Sequence, residues 1–421
     1  MRRLIFLILF VLFTIATIAW LTGLESPFSG ARTHSVLTHD DKSSRAKNSG
    51  TKNDASKPMA ASLLLGANVD YSKQSSGKTQ AAASSAVPSL VFIEVKKDGE
   101  WRNEPAGKKL LGKLAAYGVN ARAGGSGFFI DKQGTILTNF SILLGGYTWK
   151  VHSADGQDTD AELVGVDPAT DLALIRISKA GTLPIRWSGS QPNFAEALLL
   201  LGFDAKNGPR VMDVMTSSGI QESANSDEAV SLKHFLVDYD SLDHCPGWLL
   251  SNLEGSVVGV VAHVENPVNE QKRDTVVIST ESVQPIIDAL QNTPLLHRVY
   301  IGLDSRQLTS ALANLIGVKP DKGLLVAQVN SDSPLAMAGL QSGDVIIGLG
   351  DIAINSNMQF YQQLAGMAIG AKVPLQIQRG DQRLTLHVVL QEHKSGLQQL
   401  VQQWLDLVAK KRKETADEAA R

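Results

Sequence analysis

The chain has 421 residues, with 40 basic and 42 acidic side chains and a formal net charge of −2; that length predicts two globular domains with tails, and that balance excludes the basic stripe of a nucleic-acid binder. One cysteine excludes an internal disulfide. No zinc-ligand spacing and no phosphate-cradling glycine loop occurs, so neither a metal nor a cofactor is expected.

The first element is MRRLIFLILFVLFTIATIAWLTGL (1–24). Arg2 and Arg3 precede an uncharged run from Leu4 to Leu24, long enough to cross a bilayer as a helix. Basic residues ahead of such a run leave the N-terminus in the cytoplasm and translocate the rest. A transmembrane signal anchor is therefore predicted over 1–24. The alternative is a cleaved signal peptide, with Ser29-Gly30-Ala31 offering small residues at a cut site. Residues 25–86 are rich in Ser, Lys, Ala, Thr and Asn and poor in large apolar side chains. Such a stretch buries too little to offset its ordering entropy and is predicted to be a flexible linker.

Strand-like runs begin at VPSLVFIEV (87–95) and recur as GSGFFID, TILTNFSIL, LALIRI, ALLLLGF, FLVDYD and SVVGVVAHV. Turns at DKQG, DPATD, NGP and LEG punctuate them, which predicts an all-β barrel or sandwich domain over 87–297. TESVQPIIDALQN (280–292) has helical apolar spacing and closes it. Residues 298–392 then alternate strands (VYIGL, GLLVAQV, DVIIGLG, KVPLQIQR, RLTLHVVL) with helices (SALANLIGV, PLAMAGL, NMQFYQQLAGM), a compact α+β module. In the tail, 393–421, Leu397, Leu400, Val401, Trp404, Leu405 and Val408 form a helical apolar stripe. Packing on its own chain accounts for that stripe most simply; a partner-binding helix is the alternative.

Three of these stretches together carry a family likeness. GSGFFIDKQGTILTNFSIL (125–143), DPATDLALIRI (167–177) and SPLAMAGLQSGDVIIGLGDIAINS (333–356) occur in order after the apolar N-terminal run. They resemble the HtrA/Deg family of trypsin-like serine proteases with PDZ domains. The first resembles the hairpin that ends in the catalytic histidine, the second the turn bearing the catalytic aspartate, the third the PDZ core. The resemblance covers about residues 87 to 391. It implies a mainly β fold, with a trypsin-like double β-barrel followed by an α+β PDZ domain.

The matching positions depart from the family. Ser141 stands where the histidine is expected, and Asp171 matches the aspartate. DHCPGWL (243–249) aligns best with the nucleophile element GNSGGPL, which places Cys245 at the nucleophile, Asp243 at the first glycine, Pro246 after the nucleophile and Trp248 at the proline. Acyl transfer needs a base for the nucleophile and an acid for the leaving amine, and a serine hydroxyl at 141 serves neither purpose near neutral pH. An unperturbed thiol, pKa about 8.5, is only a few per cent thiolate at pH 7. The resemblance puts the oxyanion donors at 245 and 243, and Asp243 brings a carboxylate where charge would develop; losing one such donor costs roughly a hundredfold or more in rate. Ser141, Asp171 and Cys245 are thus expected to be a degenerate triad.

In the PDZ resemblance, the loop Tyr300-Ile301-Gly302-Leu303 turns its amides to a peptide's terminal carboxylate, and the peptide adds as a strand beside the following helix. Phe360 and Leu364 lie four apart on that helix and are expected either to line an apolar pocket or to close the core. The leading expectation is a pseudoprotease anchored in a bacterial inner membrane, with its bulk in the periplasm. It would bind peptide or protein C-termini, as a homo- or hetero-oligomer. One alternative is a residual endopeptidase using Cys245 with His244 or His263. The other is a structural subunit assembled with an active family member.

Overall fold

The computed structural model describes residues 77–96, 104–178, 181–204, 208–225, 230–239, 247–261, 275–316, 322–392 and 396–419. The predicted anchor (1–24), linker residues 25–76, Asp243, His244, Cys245, Pro246 and His263 lie outside them. Among the described residues no helix is long and apolar enough to cross a membrane.

Six strands close into a barrel: β1 (Leu90–Val95), β2 (Gly124–Phe129), β3 (Thr135–Asn139), β4 (Trp149–Ser153), β5 (Asp158–Asp167) and β6 (Leu172–Ile177), in the order β1-β2-β3-β6-β5-β4. The DKQG turn sets the β2–β3 register. Asp131 Oδ1 accepts from the amides of Gln133 (2.9 Å) and Thr135 (3.0 Å), and Gly134 takes φ 90°. Phe128 then faces Leu137, and at the far end of β3 Asn139 faces Leu172. This register brings the residues after β3 beside the turn before β6.

Seven further strands form a second sheet: β7 (Ala197–Asp204), β8 (Gly208–Met215), β9 (Gln221–Asn225), β10 (Val230–Val237), β11 (Leu249–Ser251), β12 (Val257–Val261) and β13 (Thr275–Ser279), ordered β8-β7-β11-β12-β13-β10-β9. A bridge between Thr216 and Val237 draws the β8 side towards β10, so the sheet curls towards a second barrel. Phe128, Leu137, Leu172 and Leu174 of the first barrel share one core with Leu199, Leu201, Leu249 and Val260 of the second sheet. The runs of leucine and valine in β6, β7 and β12 are buried on both faces for this reason.

Helices decorate these layers, and two of them differ from expectation. Residues Gly77–Ala86, at the end of the stretch expected to be flexible, form helix α1 and bury Ala82, Ala83 and Ala86. Alanine orders at almost no side-chain entropy cost, so a run poor in large apolar residues still docks. Helix α2 (Pro105–Ala115) was not expected; Pro105 opens it, and Leu110 and Leu114 face the first barrel. A short turn, α3 (Phe140–Leu143), follows β3, and α4 (Thr280–Leu290) closes the β domain with Val283, Ile286, Ile287 and Leu290 buried.

The following module contains β14 (Val299–Tyr300), β15 (Leu303–Gln307), α5 (Ser310–Ile316), β16 (Leu324–Val329), α6 (Pro334–Met337), β17 (Val345–Leu349), β18 (Ile352–Ala353), α7 (Asn357–Ala365), β19 (Lys372–Arg379), β20 (Gln382–Val389) and β21 (Gln391–Glu392). Its main sheet runs β15-β16-β17-β19-β20, so β15 is an edge. The VYIGL stretch is not one strand: it breaks at Gly302, φ 59°, where a Cβ would lie 2.7 Å from the Cβ of Ser333. The tail helix α8 (Gly396–Ala419) returns to the first barrel and buries Leu400, Val401, Trp404 and Val408 in its core, with Leu397 and Leu405 partly buried against it. The stripe is therefore covered by its own chain.

Candidate functional site

Two places gather the residues singled out by sequence. At the first, β3 ends in Asn139, and the register brings Asp171 opposite the start of α3. The Phe140 amide donates to the Asp171 carbonyl at 2.8 Å, and Asn139 Nδ2 donates to it at 2.9 Å. Asp171 is held at φ 56°, a left-handed conformation that aspartate tolerates better than most residues. Its carboxylate turns back onto Ser141: Oδ1 accepts from the Ser141 amide at 2.7 Å, and Oδ2 accepts from the Ser141 hydroxyl at 3.0 Å. Both residues are buried.

Burial pushes the Asp171 carboxyl up to about 7, against the two hydrogen bonds from Ser141 and the charge of Arg122, which lower it. The side chains acting on this carboxyl among the described residues are Ser141, Arg122 and Asp167, none of them an imidazole. Cys245, the third expected member, lies outside the described residues, as do His244 and His263. The chain is described again from Gly247, whose amide donates to Asn139 Oδ1, two residues from Ser141. Gly247 has φ 74°, and a Cβ there would lie 1.9 Å from the Ser126 carbonyl oxygen. Next to it, the indole of buried Trp248 lies flat on Gly202, where a Cβ would come within 2.2 Å of the ring. The segment from Gly247 is thus seated against the β2–β3 hairpin, two residues before Ser141.

The second place is in the α+β module. Tyr300, Ile301, Phe360 and Leu364, all expected at a peptide site, line one apolar pocket together with Val299 and Leu335. Gly302 turns the chain beyond it, and Leu303 opens edge strand β15. Tyr300 Oη donates to Asp332 Oδ1 at 3.0 Å, and the Asn330 amide donates to the Gly302 carbonyl at 2.9 Å, which pin the loop from the β16–α6 side. Asn357 and Tyr361, missed from the sequence, reach from α7 to β15. Tyr361 Oη donates to the Leu303 carbonyl at 3.3 Å, and Asn357 pairs with Ser305 through both side-chain and backbone atoms. A signal was present: Asn357, Tyr361 and Leu364 recur at i, i+4 and i+7, one face of the helix.

Comparison with known proteins places these sites in context. Residues 125–260 match the trypsin-like peptidase domain, and residues 299–390 match the PDZ domain. The chain is 27% identical over 269 residues to the probable periplasmic serine endoprotease DegP-like of Rickettsia conorii, covering 63% of this chain and 53% of that protein. It is 28% identical over 281 residues to serine endoprotease DegS of Escherichia coli K12, covering 65% of this chain and 78% of DegS. The chain spans about half the length of the rickettsial relatives it matches. In fold it is similar to the HtrA-type protease AlgW with decapeptide, at TM-score 0.57 and 21% identity over 75% of this chain and 99% of that one. It is likewise similar to the serine endoprotease of Yersinia pestis, at TM-score 0.54 and 20% identity over 76% and 99%. The chain is therefore HtrA-like, a trypsin-like peptidase domain joined to a PDZ domain.

Proposed function

We propose that this HtrA-like chain is a pseudoprotease that captures peptide or protein C-termini through its PDZ domain, in envelope protein quality control or scaffolding. The observation that carries the loss of proteolysis is Ser141. Its two donors are bound to the two oxygens of Asp171, and a hydroxyl neither takes nor returns a proton near neutral pH as an imidazole does. Without a base, a thiol at Cys245 depends on its own small thiolate fraction.

The capture function is supported by β15, an edge strand with no further strand beside it among the described residues, lying beside α7, with the apolar pocket at the loop end. A solved relative of the same fold carries a decapeptide. The periplasm is supported by relatives named as periplasmic endoproteases, and the inner-membrane anchor by the uncharged run Leu4–Leu24 behind Arg2 and Arg3.

The test is calorimetry on the full-length chain with hexapeptides ending in Val, Leu, Ile or Phe, each with a free or an amidated C-terminus. Free forms bind weakly, and amidation weakens them by about tenfold or more, the order expected for losing charge-assisted hydrogen bonds. Equal affinity for both forms would rule out carboxylate capture.

A further inference from the structure

An added strand pairs with the outward carbonyls and amides of an exposed edge. On β15 two such carbonyls are already taken. Leu303 O accepts from Tyr361 Oη at 3.3 Å, and Ser305 O accepts from Asn357 Nδ2 at 3.3 Å. Carbonyls two residues apart on a strand point the same way, and both of these point at α7. Asn357 Oδ1 also accepts from Ser305 Oγ at 2.9 Å, so that bridge is double.

Of the side chains making these bridges, Tyr361 is buried, only 4% exposed, and Asn357 is half-buried. In the apolar pocket at the loop end, the centres of water-sized spheres can sit in only about 10 Å³, space on the order of one enclosed water. Helix α7 also lies against β9 and β10 of the trypsin-like domain.

We propose that the PDZ groove is shut by its own helix. Tyr361 and Asn357 occupy the β15 carbonyls that an added strand needs, so a peptide enters only by displacing both side chains and moving α7. This rests on the reading of the PDZ domain as a peptide-capture site, and it names the residues that set its threshold. The ligand it selects is an extended segment whose own backbone amides replace the Tyr361 hydroxyl and the Asn357 amide, ending in a free carboxylate.

The experiment uses full-length wild type and the Tyr361→Phe, Asn357→Ala double variant; phenylalanine keeps the ring that fills the gap. Amide hydrogen exchange is measured without peptide, and the hexapeptides above are then titrated. Exchange across 357–365 speeds up in the variant while the barrel strands keep their protection, and free-carboxylate peptides bind about tenfold more tightly, the order expected once two ordinary hydrogen bonds stop competing. Unchanged exchange in α7, or unchanged affinity with wild type binding, overturns the closed groove and leaves peptide capture standing. Faster exchange with no peptide binding to either protein upholds the closure and overturns the capture reading.

Discussion

The Ser141 hydroxyl donates to Asp171 Oδ2 at 3.0 Å while the Ser141 amide donates to Oδ1 at 2.7 Å. One residue thus satisfies both oxygens of the carboxylate that, in the family this chain resembles, orients a histidine. The pair is a structural link between α3 and the β5–β6 turn. Ser141→Ala removes one of the two bonds and leaves a buried oxygen unpaired. Its expected cost is about 1–3 kcal/mol of stability at pH 8, with no change in casein turnover. Urea unfolding measures the first and a protease assay the second; an unchanged midpoint would show that the bond contributes nothing.

Asp171 also predicts a pH dependence. Its carboxyl is raised from 3.8 to about 7, with burial the largest cause. Between these values the folded chain holds a proton that the unfolded chain has released. The contribution of this group to stability is therefore full below about pH 4 and declines as pH rises to about 7, by at most about 1.4 kcal/mol per pH unit. Asp171→Asn has no proton to lose, and its amide can donate to Ser141 Oγ while its carbonyl accepts from the Ser141 amide. Relative to wild type, the variant should gain stability from pH 5 to pH 7 and hold that gain above it. Urea unfolding across pH 5–8 checks this, and a constant difference would contradict it.

A second buried carboxylate ties the PDZ module to the same loop. Arg298 Nη2 donates to Asp167 Oδ2, and Thr170 Oγ1 donates to that oxygen at 2.6 Å. Asp167 is fully buried and Arg298 nearly so. Arg298→Ala strands the charge and should cost about 3–5 kcal/mol in thermal or urea unfolding of the full chain. Adding Asp167→Asn removes the stranded charge and should recover part of that loss. A double variant no more stable than the single one would show that the ion pair is not the cause.

Much of the fold was legible because its signals are local. The DKQG turn between two short apolar runs predicts the β2–β3 hairpin, and the apolar stripe through Trp404 predicts a helix packed on its own chain. What escaped depends on tertiary choice. Helix α1 has no large apolar residue to announce it, and its alanines are buried only because the β domain supplies a surface. Helix α2 sits between strands and was overlooked, although Pro105 with Leu110 and Leu114 marks it. In α7, Phe360, Tyr361 and Leu364 are all buried, so apolar spacing alone cannot say which of them bridges to β15. At the expected triad positions, the family resemblance alone sets Ser141 where a histidine is expected. That its hydroxyl binds Asp171 required the register that sets Asn139 against Leu172.

The central claim is that proteolysis is gone while the fold is kept. Its most direct test is casein turnover by the purified full-length chain at pH 8, beside Cys245→Ala. Identical background rates for the two proteins are predicted, since on this reading the Ser141 hydroxyl cannot serve as a base for position 245. Hydrolysis above background that Cys245→Ala abolishes would contradict the account and make this chain a cysteine-dependent endopeptidase.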